Sequence, residues 1–193
     1  MPRTTVLTAG ILLCSILIFN FVRSDVADCP AHLADQGYKF ESLSGYDGAK
    51  CSIEEPIKLY STPTTALTSP VTLSCSFAKS FGDWAADVGA KNMTHMGGYN
   101  CRRIAGSMFM SQHSYGTAID ISMIDGVSIS DNWEEPAKKA CKYFTNILTP
   151  ETNAAHHDHL HLDKGIGLPC WANKLKAQAL AVFLWPFSHQ PNN

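Results

Sequence analysis

The stretch His157–Asp163 reads HDHLHLD. Its second half alternates leucine with histidine or aspartate. A period of two belongs to a β-strand, whose successive side chains point to opposite faces. Read as a strand, the segment puts His157, His159, His161 and Asp163 on one face and Asp158, Leu160 and Leu162 on the other. The leucines mark the face that packs on a core. The chain must therefore build a sheet that is apolar on one side and carries a ladder of imidazoles on the other. Same-face neighbours lie about 7 Å apart, so the ladder alone cannot surround one small ion. A second segment has to contribute.

Ser111–Asp120, SQHSYGTAID, is that segment. In the strand that follows, Ile119 and Ile121 take one face while Ala118, Asp120 and Ser122 take the other. A buried, unpartnered aspartate in an apolar strand is costly, so Asp120 needs a partner. His113 lies seven residues upstream, and Gly116 between them lets the chain turn back. A histidine, an aspartate and one histidine of the ladder make a three-ligand set of the kind zinc accepts, with a fourth position left for water.

The remaining sequence supplies a scaffold. Leu73, Phe77, Phe81, Trp84 and Val88 recur at helical spacing and predict a helix over about 70–88. A second helix is expected over about 133–148, with Asp131 or Asn132 as its cap and Pro136 in its first turn. A third is expected over 171–185. Strands are expected at 57–60, within 91–106, at 118–123 and at 127–130, the last two joined by a turn at Asp125-Gly126. Residues 24–50 read as an irregular lead-in. Strands mixed with separate helices give an α+β class: a small antiparallel sheet carrying a zinc site, flanked by helices.

Three separated motifs, in order, carry a resemblance. They are YNCR at Tyr99–Arg102, SQHSYGTAID at Ser111–Asp120 and HHDHLHLD at His156–Asp163. The set resembles the extensin-like C-terminal domain proteins, over about residues 29–170 and including the cysteine positions. More distantly it resembles the zinc peptidase superfamily of lysostaphin, the D-Ala-D-Ala metallopeptidases and the hedgehog signalling domain. The resemblance implies a hedgehog/D-Ala-D-Ala-peptidase-like fold, with zinc (Zn2+) held by His113, Asp120 and His161 and water activated on the metal as nucleophile. Two residues compete as general base. His159 forms an HxH pair with His161, and Asp158 stands three residues before His161, as a glutamate does in related peptidases. Strand alternation favours His159, because Asp158 would point away. Arg102 is the expected partner of an oxyanion or substrate carboxylate. Ser111 would bond substrate or orient a ligand, and His157 and Asp163 would fix an imidazole tautomer. His156 reads as a solvated neighbour.

Length and composition set the outer limits. With 193 residues and 45% hydrophobic content there is room for one domain with a real core. A net charge of −2 gives no basic surface for nucleic acid. Thr5–Val22 is an apolar run behind Arg3, read either as a cleaved signal peptide or as an uncleaved anchor. Cys14 lies inside it. Cys29, Cys51, Cys75, Cys101, Cys141 and Cys170 are six widely spaced cysteines without a CxxC pair, which fits disulfides in an oxidising compartment. The expected organisation is a signal or anchor over 1–28, the zinc peptidase-type domain over 29–170 and a helical tail over 171–193. The expected activity is hydrolysis of cell-wall (peptidoglycan) peptides by a D,D- or related carboxypeptidase or endopeptidase. It would act outside the cytoplasm, in the periplasm or secreted, touching membrane only through the N-terminal segment. The competing expectation is a zinc-containing domain that binds cell wall or a periplasmic partner without cutting.

Overall fold

The computed structural model describes residues 28–48 and 50–167. The N-terminal apolar run and the expected tail helix lie outside the described residues, as do Cys14 and Cys170. Among the described residues three α-helices, α1 (Cys29–Asp35), α2 (Cys75–Val88) and α3 (Glu134–Ala140), accompany eight strands. These are β1 (Lys39–Ser42), β2 (Pro56–Ser61), β3 (Ala66–Ser74), β4 (Asn92–Gly97), β5 (Ala118–Ile124), β6 (Val127–Ser128), β7 (Asn146–Leu148) and β8 (Leu160–Asp163). They form one sheet in the order β1-β2-β3-β4-β5-β8-β7, with β6 paired to β5. The class is mixed α and β, and every described pairing is antiparallel except β3 with β4.

The sheet divides its residues by alternation. Ile57 and Leu59 of β2, Val71 and Leu73 of β3, Ile119 and Ile121 of β5, and Leu160 and Leu162 of β8 are buried in one apolar cluster. Phe77, Phe81 and Trp84 of α2, Ala137 and Ala140 of α3, and Phe144 join the same cluster. Trp84 also donates its indole N–H to the Pro136 carbonyl at 3.0 Å, tying α2 to α3. The alternate residues of β5 and β8, Asp120, His161 and Asp163, face away from this core. The expected division therefore holds for Ala118–Ile124 and for Leu160–Asp163.

Helix α2 begins later than its periodicity predicts. Residues 70–74 belong to β3, where Val71 and Leu73 are buried and Thr72 between them is not. Ser74 then caps the helix by accepting from the Phe77 N–H at 3.4 Å, and Gly89 ends it in the left-handed region at φ 82°. Leu73 fits the helical spacing only because it is a strand residue adjoining the helix on the same core. The expected 133–148 helix is likewise shorter. It stops at Ala140, and the chain turns to supply β7, just before which the Thr145 N–H donates to the Asp163 carbonyl at 3.0 Å. Of the 91–106 stretch only Asn92–Gly97 is a strand. The 24–50 lead-in contains α1 and β1, so it is more regular than expected. The hairpin at Asp125-Gly126 forms as expected, with φ 50° and 82°.

Two disulfides brace the region around the sheet. Cys29 joins Cys75, pinning α1 to the start of α2, and Cys51 joins Cys101, anchoring the chain just before Arg102. Both are compatible with an extracytoplasmic location. No helix among the described residues is long and apolar enough to cross a membrane.

Candidate metal centre

Strand register brings the two polar segments together. β5 and β8 run antiparallel with Asp120 opposite His161 and Ala118 opposite Asp163. A direct cross-strand pair on the same face has its Cβ atoms only about 5 Å apart, which explains why residues forty-one positions apart touch. His113 arrives by a different route. It sits in a 3-10 turn, Gln112–Tyr115, that precedes β5. The Ser111 hydroxyl accepts from the His113 N–H at 3.3 Å and so caps that turn. Gly116 closes it at φ 65°, where an added Cβ would approach the Ser74 backbone nitrogen to 2.8 Å. The turn is thereby pressed against β3 while its imidazole is delivered over β5.

The hydrogen bonds fix which atom each residue presents. His113 Nδ1–H donates to the Gly98 carbonyl, which leaves Nε2 facing inward. His161 Nε2–H donates to Asp163 Oδ2 at 2.9 Å, which leaves Nδ1 facing inward. These two inward nitrogens are 3.2 Å apart. Asp120 Oδ1 lies 2.8 Å from His161 Nδ1, and Asp120 Oδ2 lies 3.2 Å from His113 Nε2. The donor atoms of His113, Asp120 and His161 all fall within 4.8 Å of one another. Two imidazole lone pairs and a carboxylate thus converge on one point. Such an arrangement is repulsive unless a cation or a proton sits among them. The nitrogen and oxygen donors and their outer acceptors suit a small divalent metal such as zinc.

The electrostatics of the centre follow from the same convergence. Burial favours the neutral form of His161, but its hydrogen bonds to Asp120 and Asp163 outweigh it and raise its pKa to about 9. Burial would raise Asp120, yet the bonds and charges of His113 and His161 hold it well below the usual carboxylate range. A proton on His161 takes the place a cation would take. For Asp163 burial again works upward and is overcome, by the bonds from His161, Asn146 and Gly165.

The first half of the histidine ladder departs from the expected strand. Residues 154–156 form a 3-10 turn, and the strand begins only at Leu160. His157 is consequently turned outward, its side chain 73% exposed and its Nδ1–H donating to the Ala154 carbonyl. It does not share the face of His161. His159 still reaches the centre from the end of this turn. It is buried, its Nδ1–H donates to Asp158 Oδ1 at 2.9 Å, and its Nε2 lies 3.7 Å from Asp120 Oδ1. Asp158 is half exposed behind His159, and that bond lowers its pKa. It points away from the three donors, though because of a turn and not because of strand alternation.

His156 is closer to the centre than its sequence position indicates. Asn153 Oδ1 accepts from His156 Nδ1 at 2.8 Å, and the His156 ring packs against His159 and His161 at centroid distances of 5.0 and 5.7 Å. Burial lowers its pKa, as do the neighbouring imidazoles. Asn153 also caps the 3-10 turn through the Ala155 N–H, and an asparagine ahead of a short turn is the signal that could have placed this ring. Gly98, just after β4, is a residue the sequence pattern does not single out, although its carbonyl sets the His113 tautomer.

The centre opens into a cavity of about 450 Å³ lined by Arg102, Ile104, Ser111, His156, His159 and Leu148 among others. Arg102 is held by its backbone: its N–H donates to the Ser114 hydroxyl at 3.0 Å, and that hydroxyl donates to its carbonyl at 2.8 Å. Its exposed guanidinium makes no ion pair among the described residues. Ser111, by contrast, is buried and already engaged in capping.

A family model described as extensin-like protein C-terminus matches residues 27–170. The chain belongs to that family. The matched span includes all the residues of the centre, its histidine turn and both described disulfides of this extensin-like domain. No curated protein and no solved structure matches the chain.

Proposed function

We propose that this extensin-like domain is an extracytoplasmic zinc-dependent peptidase acting on peptidoglycan peptides, related to the lysostaphin, D-Ala-D-Ala-peptidase and hedgehog superfamily. One observation carries the reading. His113 Nε2, His161 Nδ1 and the Asp120 carboxylate converge within 4.8 Å, with each outer imidazole nitrogen occupied by a separate acceptor. When bound there, zinc supplies Lewis-acid chemistry, lowering the pKa of water toward ~7 and polarising a carbonyl oxygen.

The chain's own groups complete the chemistry. His159 is the general base: its Nδ1–H is held by Asp158, so the lone pair of Nε2 is directed toward the centre, where it can take a proton from water and return it to a leaving amine. Asp158 orients that ring. Arg102, on the cavity wall without an ion-pair partner among the described residues, receives a substrate carboxylate or a developing oxyanion. Ser111 shapes the wall and holds the His113 turn, which makes direct substrate bonding the lesser part of its work.

The test is incubation of zinc-loaded protein with sacculi and with D-Ala-D-Ala peptides, followed by mass spectrometry of the products. Peptide-bond cleavage that is lost in His159→Ala while zinc is retained supports the proposal. Untouched substrates, in an assay where a known amidase cuts them, would sink it. A second reading, a zinc-containing domain that binds cell wall without cutting, draws on the outward position of Asp158. It requires sacculus binding that survives His159→Ala and no hydrolysis by either form.

A further inference from the structure

We propose that Asn146 is a positioning residue for this centre, fixing the direction of His161 through Asp163; the inference rests on the metal reading above. Asp163 follows His161 by two residues on β8, so both face the same side. Unrestrained, its carboxylate could turn toward the centre and compete with Asp120 as a donor. The structure shows what prevents this. Asn146 lies directly opposite Asp163 in the β7–β8 register, and its Nδ2–H donates to Asp163 Oδ1 at 2.7 Å. The Gly165 N–H donates to the same oxygen at 2.7 Å. With Oδ1 held by two donors, Oδ2 is left to accept from His161 Nε2–H at 2.9 Å.

The consequence is chemical selection. Anchoring Asp163 keeps the Nε2–H tautomer of His161 and aims Nδ1 at His113 and Asp120. It also decides which of two nearby carboxylates serves as ligand and which as orienter. An amide is required for this. It offers N–H bonds without charge, whereas a carboxylate at 146 would repel Asp163, and a small apolar side chain would leave one bond at Oδ1. The polypeptide allows for the amide's bulk by placing Gly167 against it, where any Cβ would collide with the Asn146 side chain. Asn146 falls in a stretch that periodicity assigns to a helix, so only the pairing of β7 with β8 exposes its role.

The test measures zinc affinity by competition with a chelator for the full chain, Asn146→Ala and the isosteric Asn146→Asp, with circular dichroism to confirm folding. Loss of the hydrogen-bond partner of a metal-binding histidine lowers metal affinity by about 10- to 100-fold; the alanine variant keeps that partner, Asp163, and one of its two anchors, so its affinity should fall by up to about 10-fold, with aspartate at least as weak. The visible spectrum of the cobalt-substituted protein should change, and long-range ¹⁵N NMR of the zinc form should show the His161 Nε2–H signature weakened. Folded variants with wild-type affinity and spectra, whose melting temperatures drop equally with and without zinc, would assign Asn146 to strand pairing alone and overturn the inference. A wild-type chain that takes up no zinc would instead overturn the metal reading, and this inference with it.

Discussion

At the residue scale, the centre's behaviour follows from the convergence of two imidazoles and a carboxylate. In the metal-free protein His161 has its pKa raised from 6.5 to about 9. A raised value means that the charged form is stabilised by folding. The contribution is fully present below about pH 6.5 and is lost as pH rises through about 9. It is on the order of 3 kcal/mol at most. Metal-free protein should therefore melt progressively lower between these limits, and the zinc-loaded form should not, as differential scanning calorimetry would show. Asp120 acts in the opposite direction: its depressed value gives stability above about pH 3.8 that is lost as pH falls. The same protonation shapes metal uptake. Zinc must displace the proton from His161 Nδ1, so near neutral pH binding should release about one proton per ion and affinity should rise about tenfold per pH unit up to about 9. Titration calorimetry in buffers of different ionisation enthalpy measures this; uptake without proton release would contradict a protonated His161 in the metal-free protein.

Neighbouring residues divide the proposed chemistry. His159→Ala should keep zinc and lose hydrolysis by 10²-fold or more, the range typical of a missing general base. Asp158→Asn should cost less, since the ring would keep a hydrogen-bond partner and lose only the charge behind it. If Asp158→Asn were as damaging as His159→Ala, the division of roles between them would be wrong.

At the element scale, short turns and strand register place the donors of the candidate centre. The Gln112–Tyr115 turn carries His113, and its closing residue Gly116 has both φ 65° and no space for a Cβ. Gly116→Ala should lower stability by more than ~1 kcal/mol and weaken zinc binding together, measurable by thermal melts and chelator competition. An alanine chain with unchanged metal affinity would show that the turn tolerates displacement. The sequence made β5 and β8 readable because Ile119, Ile121, Leu160 and Leu162 alternate with Asp120, His161 and Asp163, a pattern no helix would produce. The register that sets Asp120 against His161 was not readable, because alternation gives a face and not a partner. Helical spacing misled where a strand residue, Leu73, and a post-helical residue, Phe144, pack on the same core as the helix faces they extend. His157 was misplaced for a related reason. Its alternation with His159 is formal, and the 3-10 turn ahead of it breaks the strand that would have given it meaning.

At the scale of the whole molecule, one apolar layer supports one polar face. Helices α1 to α3 cover the side holding Leu160 and Leu162, leaving the opposite side of β5 and β8 to the centre and its cavity. The Cys51–Cys101 disulfide fixes the chain beside Arg102, and Cys29–Cys75 fixes the start of α2. Removing either by paired Cys→Ala substitution should cost about 2–5 kcal/mol. Loss of Cys51–Cys101 should also loosen Arg102 and raise KM more than it lowers kcat. Equal effects of the two disulfides on KM would argue against a role for that loop in holding substrate.

The most direct test is the zinc content of the folded, purified protein by mass spectrometry after dialysis against metal-free buffer and addition of one equivalent of zinc. The convergence of His113, Asp120 and His161 predicts close to one zinc per chain, falling to background in His161→Ala and Asp120→Ala variants that keep wild-type circular dichroism. A folded wild-type chain that retains no more zinc than those variants would contradict it.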